Sequence, residues 1–383
     1  MTSQLDRREL LRRAAAGGTI LTVPGLLAAC GGSSSKSESS GSDHKLAKTL
    51  HFSNWTLYID KKGNRHPTLD QFQKKTGVKV DYREDINDNA SFFSKIQPAL
   101  ASGQSTGRDI IVMTDNSRYP SLLIKKGWVE KLDKSAIPNV KNLIPQQQHP
   151  NWDENRDYSL PWQSGMTGIG YDERQTEPVL DMDDLLTNPK LKGKVGLLTE
   201  FADTIALVML SNGDDPSKVT DASFNRAIDK IKKAVNSGQI RKFYGNDYSD
   251  ALARGDLAAT MAWSGDIIQL QADNKHLKWN LPKDGGDIWT DNMLIPKGGN
   301  VFTASTYMNF VYDPKIAALI EDYVNYICPV NGAKEALQKI DPAVANNTLI
   351  FPTKKMLDNV HIIDAAALNN QKYQTTWQNL ISA

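Results

Sequence analysis

The sequence predicts a mixed α/β protein of two lobes built on parallel sheet, and two observations lead there. The chain has 383 residues, roughly two domains' worth of core. Strand-like and helix-like stretches also alternate along it, the pattern that layers helices onto a parallel sheet. Taken in order, Thr49 to Trp55 reads as a strand, and Thr68-Leu69-Asp70-Gln71 resembles a capping box opening a helix that Gly77 ends. Val78, Val80 and Tyr82 alternate with polar residues, as in a half-buried strand. Ala90 to Ala101 is helical in composition, and Asp109-Ile110-Ile111-Val112-Met113 is a run short enough for a buried parallel strand. Farther on, Val195 to Leu198 reads as a strand, Ala222 to Val235 as an amphipathic helix and Leu257 to Trp263 as another short strand, which suits a second α/β lobe. No repeat of fixed period is visible.

Charge is nearly balanced: 45 Lys and Arg stand against 44 Asp and Glu, a formal net charge of +1. No strong field exists to attract nucleic acid or an anionic membrane surface, so any electrostatic selectivity must be local. After residue 30 no apolar run approaches the roughly 20 residues that cross a bilayer.

The N-terminus carries a separate signal. Asp6-Arg7-Arg8-Glu9-Leu10-Leu11-Arg12 resembles a twin-arginine export motif, and the apolar stretch from Ala14 to Ala29 is too short and Gly-rich for a spanning helix. Leu27-Ala28-Ala29-Cys30 resembles a lipobox, in which small residues admit a signal peptidase and the Cys thiol takes a diacylglyceryl group. The Gly/Ser-rich run from Gly31 to Ser42 cannot bury apolar surface and reads as a tether. The expectation is a signal peptide over residues 1–29, a lipidated tether over 30–45, and an extracytoplasmic protein held to the membrane through Cys30. With Cys30 acylated, Cys328 has no intrachain partner and is expected to be a small buried hydrophobe.

In parallel α/β sheets, ligands collect beyond the carboxyl ends of the strands. The residues expected there are Asn54-Trp55-Thr56-Leu57-Tyr58, Thr114-Asp115-Asn116, Trp263-Ser264-Gly265-Asp266 and Trp289-Thr290-Asp291. Aromatics and carboxylates recur in them. An alkylammonium ligand needs aromatic faces for its apolar stem and carboxylates for its charged ends. Trp is the strongest cation–π partner among side chains, worth about 0.5–2 kcal/mol per contact, and a carboxylate gives charge-assisted hydrogen bonds to ammonium protons. Trp55, Trp263 and Trp289 therefore stand as walls, with Asp266 and Asp291 as anchors.

The sequence resembles the bacterial spermidine/putrescine-binding proteins from about Thr49 to beyond Phe351. The words that carry the resemblance are NWTLY at Asn54, FQKKTGVKVDY at Phe72, DIIV at Asp109, LDKSAIPNVKNL at Leu132, YSLPW at Tyr158, MAWSGD at Met261 and GGDIWTDNMLIPKGG at Gly285. The resemblance implies a two-lobed type II periplasmic-binding-protein fold with a hinge of crossing strands. Lobe 1 is expected over 46–163 plus 290–335, and lobe 2 over 164–289 plus 336–383. It also implies a non-catalytic, monomeric receptor without cofactor or metal, which closes over a polyamine and delivers it to the permease and ATPase subunits of an ABC importer. Carried across, the family's ligand-binding positions fall on Trp55, Thr56, Tyr58, Thr114, Asn116, Trp263, Asp266, Trp289, Asp291 and Tyr326.

Two departures stand out. In Thr199-Glu200-Phe201-Ala202-Asp203-Thr204 simple alignment puts Phe201 and Thr204 at the family's acidic positions, leaving Glu200 and Asp203 out of phase. Leu57 also replaces an acid. Two anchoring acids then remain, which favours a short diamine or a different monocation with an apolar body over longer polyamines and leaves a receptor for another small solute as the alternative.

Other classes fare worse. A hydrolase would need a nucleophile and base, yet no G-x-S-x-G elbow occurs and the 6 histidines fall in unrelated settings. No H-x-H, C-x-x-C or H-E-x-x-H spacing suggests a metal site, and the adjacent cleft tyrosines of a ferric-ion receptor are missing. His51, inside the first strand, is expected to pack in the core.

Overall fold

The computed structural model describes residues 44–382. The export segment, the lipobox with Cys30 and the tether through residue 43 lie outside the described residues. The chain begins β1 (Thr49–Trp55), α1 (Pro67–Thr76), β2 (Lys79–Ile86), α2 (Asn89–Ala101), β3 (Ile110–Thr114) and α3 (Tyr119–Lys125). The long β4 (Ser159–Asp172) and α4 (Met182–Thr187) lead into β5 (Val195–Leu198), α5 (Phe201–Ser211), α6 (Asp221–Asn236), β6 (Ile240–Tyr244), α7 (Tyr248–Ala253) and β7 (Ala259–Trp263). Next come α8 (Ser264–Gln271), β8 (Leu277–Asn280), β9 (Gly286–Leu294), α9 (Val301–Val311), α10 (Pro314–Val324), α11 (Ala333–Leu337), α12 (Pro342–Ala345) and α13 (Lys354–Leu357). The chain closes with β10 (Val360–His361), α14 (Ala365–Asn369) and α15 (Gln371–Ile381).

The strands form one curled mixed sheet in the order β2-β1-β3-β9-β4-β7-β5-β6, with β10 beside β9 and β8 beside β4. At one end β1 runs parallel to β2 and β3; at the other, β5 runs parallel to β6 and β7. Between them β9 is antiparallel to both β3 and β4, and β4 is antiparallel to β7. Two parallel α/β halves are thus joined by two crossing strands, the two-lobed periplasmic-binding-protein architecture. Every residue of β4 is buried, as its central place and near-continuous apolar and small character require.

Local chemistry explains the helix ends. Asp88 caps α2 by accepting from the Ser91 amide, and Thr220 with Ser223 forms a capping box on α6. Gly77 ends α1 at φ 76, a left-handed conformation that suits a residue without Cβ. The expected capping box at Thr68 is not formed: α1 starts one residue earlier, at Pro67. The Thr68 amide (2.8 Å) and hydroxyl donate instead to the buried Asp60 carboxylate, which ties the β1–α1 loop to the helix. His51 is also not a core residue, because its side chain points to a half-exposed face of β1 and pairs with Asp81 at 2.9 Å. Cys328 is buried and free. Across the second half, Trp377 of α15 is fully buried and donates to the Thr199 carbonyl at 3.0 Å, holding the C-terminus against the β5–α5 turn. Among the described residues no helix is long and apolar enough to cross a membrane.

Candidate cation-binding cleft

Where β1 stops, Trp55 is followed by Leu57 in the left-handed region (φ 56), and the reversal returns Tyr58 beneath the strand end. Asn54 holds this turn: its side chain accepts from the Trp55 amide at 3.0 Å and donates to the Tyr58 carbonyl at 3.3 Å. Thr114 ends β3 opposite Asp291 of β9, and that register puts hydroxyl against carboxylate. Trp263 ends β7 and α8 begins at the next residue, so Asp266 lies in the first turn, where helix amides favour negative charge. Asp203 occupies the same position in α5, with Glu200 at its N-cap.

These elements line one shared cavity. Its lining includes all ten residues expected from the sequence, Trp55, Thr56, Tyr58, Thr114, Asn116, Trp263, Asp266, Trp289, Asp291 and Tyr326, together with Glu200, Asp203 and Asn246. The indoles form a continuous wall: ring centroids of Trp55 and Trp263 lie 5.7 Å apart, and those of Trp263 and Trp289 lie 6.0 Å apart, both pairs near edge-to-face. Tyr326 continues the wall from Trp289 at 5.7 Å and meets Tyr58 at 5.1 Å. Gly165 of β4 makes room for it, since a Cβ there would stand 2.5 Å from the Trp289 ring.

Each acid is held by donors. Asp291 accepts from Tyr58 at 2.8 Å and Thr114 at 2.7 Å. Asp266 accepts from Asn246 and Tyr248, both at 2.8 Å, and from Tyr326 at 2.7 Å. Asp203 accepts from the Thr167 hydroxyl, from the Trp263 indole at 3.0 Å and from Asn116 at 3.1 Å. Glu200 accepts from the amide and side chain of Asn89 at 2.7 and 3.0 Å. Asn116 also donates to Asp287 at 2.8 Å, a fully buried acid one layer below the cavity with its second oxygen unpartnered.

Among the described residues no Lys, Arg or His lines the cavity. Burial without a cation disfavours ionisation. Desolvation accordingly pushes Glu200 up to about 8, with Asp88 and Asp203 adding repulsion. It lifts Asp291 to about 7 and Asp266 to about 6, against the lowering effect of their hydroxyl donors. Asp203 is raised for the same first reason. The cavity therefore stores protons that a bound cation would displace.

Two expectations need correcting. Glu200 and Asp203 are not out of phase: both reach the cavity, whereas Phe201 packs against Phe224 and Trp377, and Thr204 donates back to the Leu198 carbonyl. Among the described residues four carboxylates, not two, surround the space, so missing acids do not favour a short ligand. The signal was available, since Glu200 and Asp203 directly follow the strand Val195–Leu198. Trp289 and Asp291 were expected just past a strand end but lie inside β9. They share the cavity face through the two-residue period of an extended strand. Asn246, after β6, had no signal because that strand was not anticipated.

Residues 68–352 match the model of the family described as bacterial extracellular solute-binding protein. The chain is 30% identical to the putrescine-binding periplasmic protein PotF of Escherichia coli (strain K12), covering 80% of this chain and 83% of that protein. It is 26% identical to the spermidine/putrescine-binding periplasmic protein of the same organism, over 87% of this chain and 91% of the relative. Among solved structures, a putative spermidine/putrescine ABC transporter protein from Listeria monocytogenes superposes with a TM-score of 0.75 at 26% identity, over 88% of this chain and 98% of that one.

Proposed function

The chain belongs to the family of bacterial extracellular solute-binding proteins, and from that premise we propose that its cleft captures a polyamine and hands it to an ABC importer. The observation that carries the reading is the lining itself: among the described residues four carboxylates and three indoles face one cavity with no basic side chain to neutralise them. Only a cationic guest repays the desolvation of those acids, and the aromatic wall suits a guest with an apolar stem. Acids sit on three separate elements, Asp291 on β9, Asp266 on α8 and the Glu200–Asp203 pair at the head of α5, so a ligand with more than one ammonium group is matched better than a monocation.

Binding on this reading is non-catalytic. One half of the sheet engages the amine, the other completes the cage, and the closed form docks on the permease. The lobes comprise 46–163 with 290–335 and 164–289 with 336–383. Anchoring through acylated Cys30 would keep this monomeric receptor at the outer face of the cell membrane; intact mass of the mature protein with and without lipase tests it. The ligand assignment is tested by native mass spectrometry of protein purified without refolding, then calorimetry with putrescine, cadaverine, spermidine and agmatine beside glutamate and glucose. Tight binding of a di- or polyamine supports the reading. Preference for an uncharged or anionic solute ends it in favour of a receptor for another solute class.

A further inference from the structure

Gly245, immediately after β6, has no backbone reason to be glycine, since it is not among the residues with positive φ. What excludes a side chain is the opposite end of the sheet. A Cβ at Gly245 would stand 2.4 Å from the side-chain nitrogen of Asn87 and 2.5 Å from its backbone carbonyl oxygen. Asn87 follows β2, so the two residues extend from the two outermost strands of the sheet order. The sheet curls until its ends touch over the cavity.

Hydrogen bonds join the ends. Asn246 donates its amide to the Asn87 carbonyl at 2.9 Å, and the Asp247 amide donates to the Asn87 side chain at 3.2 Å. One layer deeper, Asn89 donates twice to Glu200. The outer contact reaches the ligand acids directly, because Asn246 also donates its side chain to Asp266 at 2.8 Å. Asn89 does the same on the other side, donating at 2.9 Å to the Thr114 hydroxyl that binds Asp291.

We propose that Asn87 and Gly245 form a clasp that makes tight binding conditional on closure, with Asn246 and Asn89 transmitting the clasped geometry to Asp266 and Asp291. Asn87 and Gly245 are positioning residues and touch no ligand. The inference rests on the reading of the cleft as a cation site, and its test separates the two. A Gly245→Ala protein and an Asn87→Ala protein, the latter at an exposed position and stripped of both side-chain bonds to Asp247, are compared with the parent by calorimetry with putrescine and by small-angle X-ray scattering with and without it. Circular dichroism melting checks folding. Two lost hydrogen bonds correspond to roughly tenfold or more in affinity. The expected result is a loss of that size in both variants and a more expanded scattering profile than the parent's. Parent-like affinity and parent-like profiles in both variants overturn the clasp. If Gly245→Ala fails to fold, Asn87→Ala alone decides. If no amine binds the parent, the cation reading fails, and the ligand-free profiles still judge the clasp: expansion in the variants supports it and identity overturns it.

Discussion

Amine capture by this cleft should release protons, and the amount follows from the site. With Glu200 at about 8, Asp291 at about 7 and Asp266 at about 6, the ligand-free cavity at pH 7 is partly protonated. Glu200 is mostly protonated and Asp291 and Asp266 partly so, and Asp203 is raised as well, so the cavity holds on the order of one proton or more. An ammonium group beside each acid favours the ionised form and drives those protons off. By linkage, affinity then rises roughly tenfold or more per pH unit between pH 6 and pH 8. Calorimetry in two buffers of different ionisation enthalpy measures the release, and the slope of observed enthalpy against buffer enthalpy should correspond to on the order of one proton or more at pH 7. Glu200→Gln should lower the release, since burial pushes that acid up to about 8 and leaves it mostly protonated without ligand. Buffer-independent enthalpy together with flat affinity over this range would refute the claim that the acids are held neutral by desolvation.

The same shifts set a stability trend. These acids hold protons in the folded state to higher pH than in the unfolded chain, so ligand-free stability falls as pH rises from about 5 to about 8, and saturating amine abolishes the slope; melting curves across that range check both halves. Asp291→Asn should weaken amine binding by about 2–5 kcal/mol, because a buried ammonium loses its charged partner, while Tyr58 and Thr114 can still bond the amide. Unchanged affinity in calorimetry would remove Asp291 from the site. Gly165→Ala forces the Trp289 ring to move and should cost about 1–3 kcal/mol of stability together with amine affinity. Lower melting temperature with intact binding would show that Trp289 is packing rather than wall.

Local and composition-level features were legible without coordinates. The strands around Ile110, Val195 and Ala259 announce themselves because a parallel strand covered on both faces must be a short apolar run, the one after Val78 because apolar and polar residues alternate in a half-buried strand, and the carboxyl ends are where polar function collects. That rule alone gathers Trp55, Thr114 and Trp263 with their neighbours. The capping residue of α1 was misread because Thr68 satisfies the local pattern, yet its hydroxyl finds a partner in Asp60, eight residues back in sequence. His51 was misassigned because strand alternation does not say which face is covered.

The amino-acid sequence by itself determined the alternating α/β halves, the aromatic and acidic character of the strand ends, and the family to which the chain is similar. Each depends on residue type and on spacing within a few positions. Tertiary structure alone decided how many acids share the cavity, that β4 and β9 join the halves into one sheet, and that Asn87 meets Gly245 across the mouth. Those facts bring together residues distant in sequence, 25 positions for Asp266 and Asp291 and 158 for Asn87 and Gly245, where chain folding rather than local propensity sets proximity. The phase of Glu200 and Asp203 shows the reason: a shift of one residue at a strand-to-helix turn rotates a side chain by about 100°, and only the packed turn fixes which way it points.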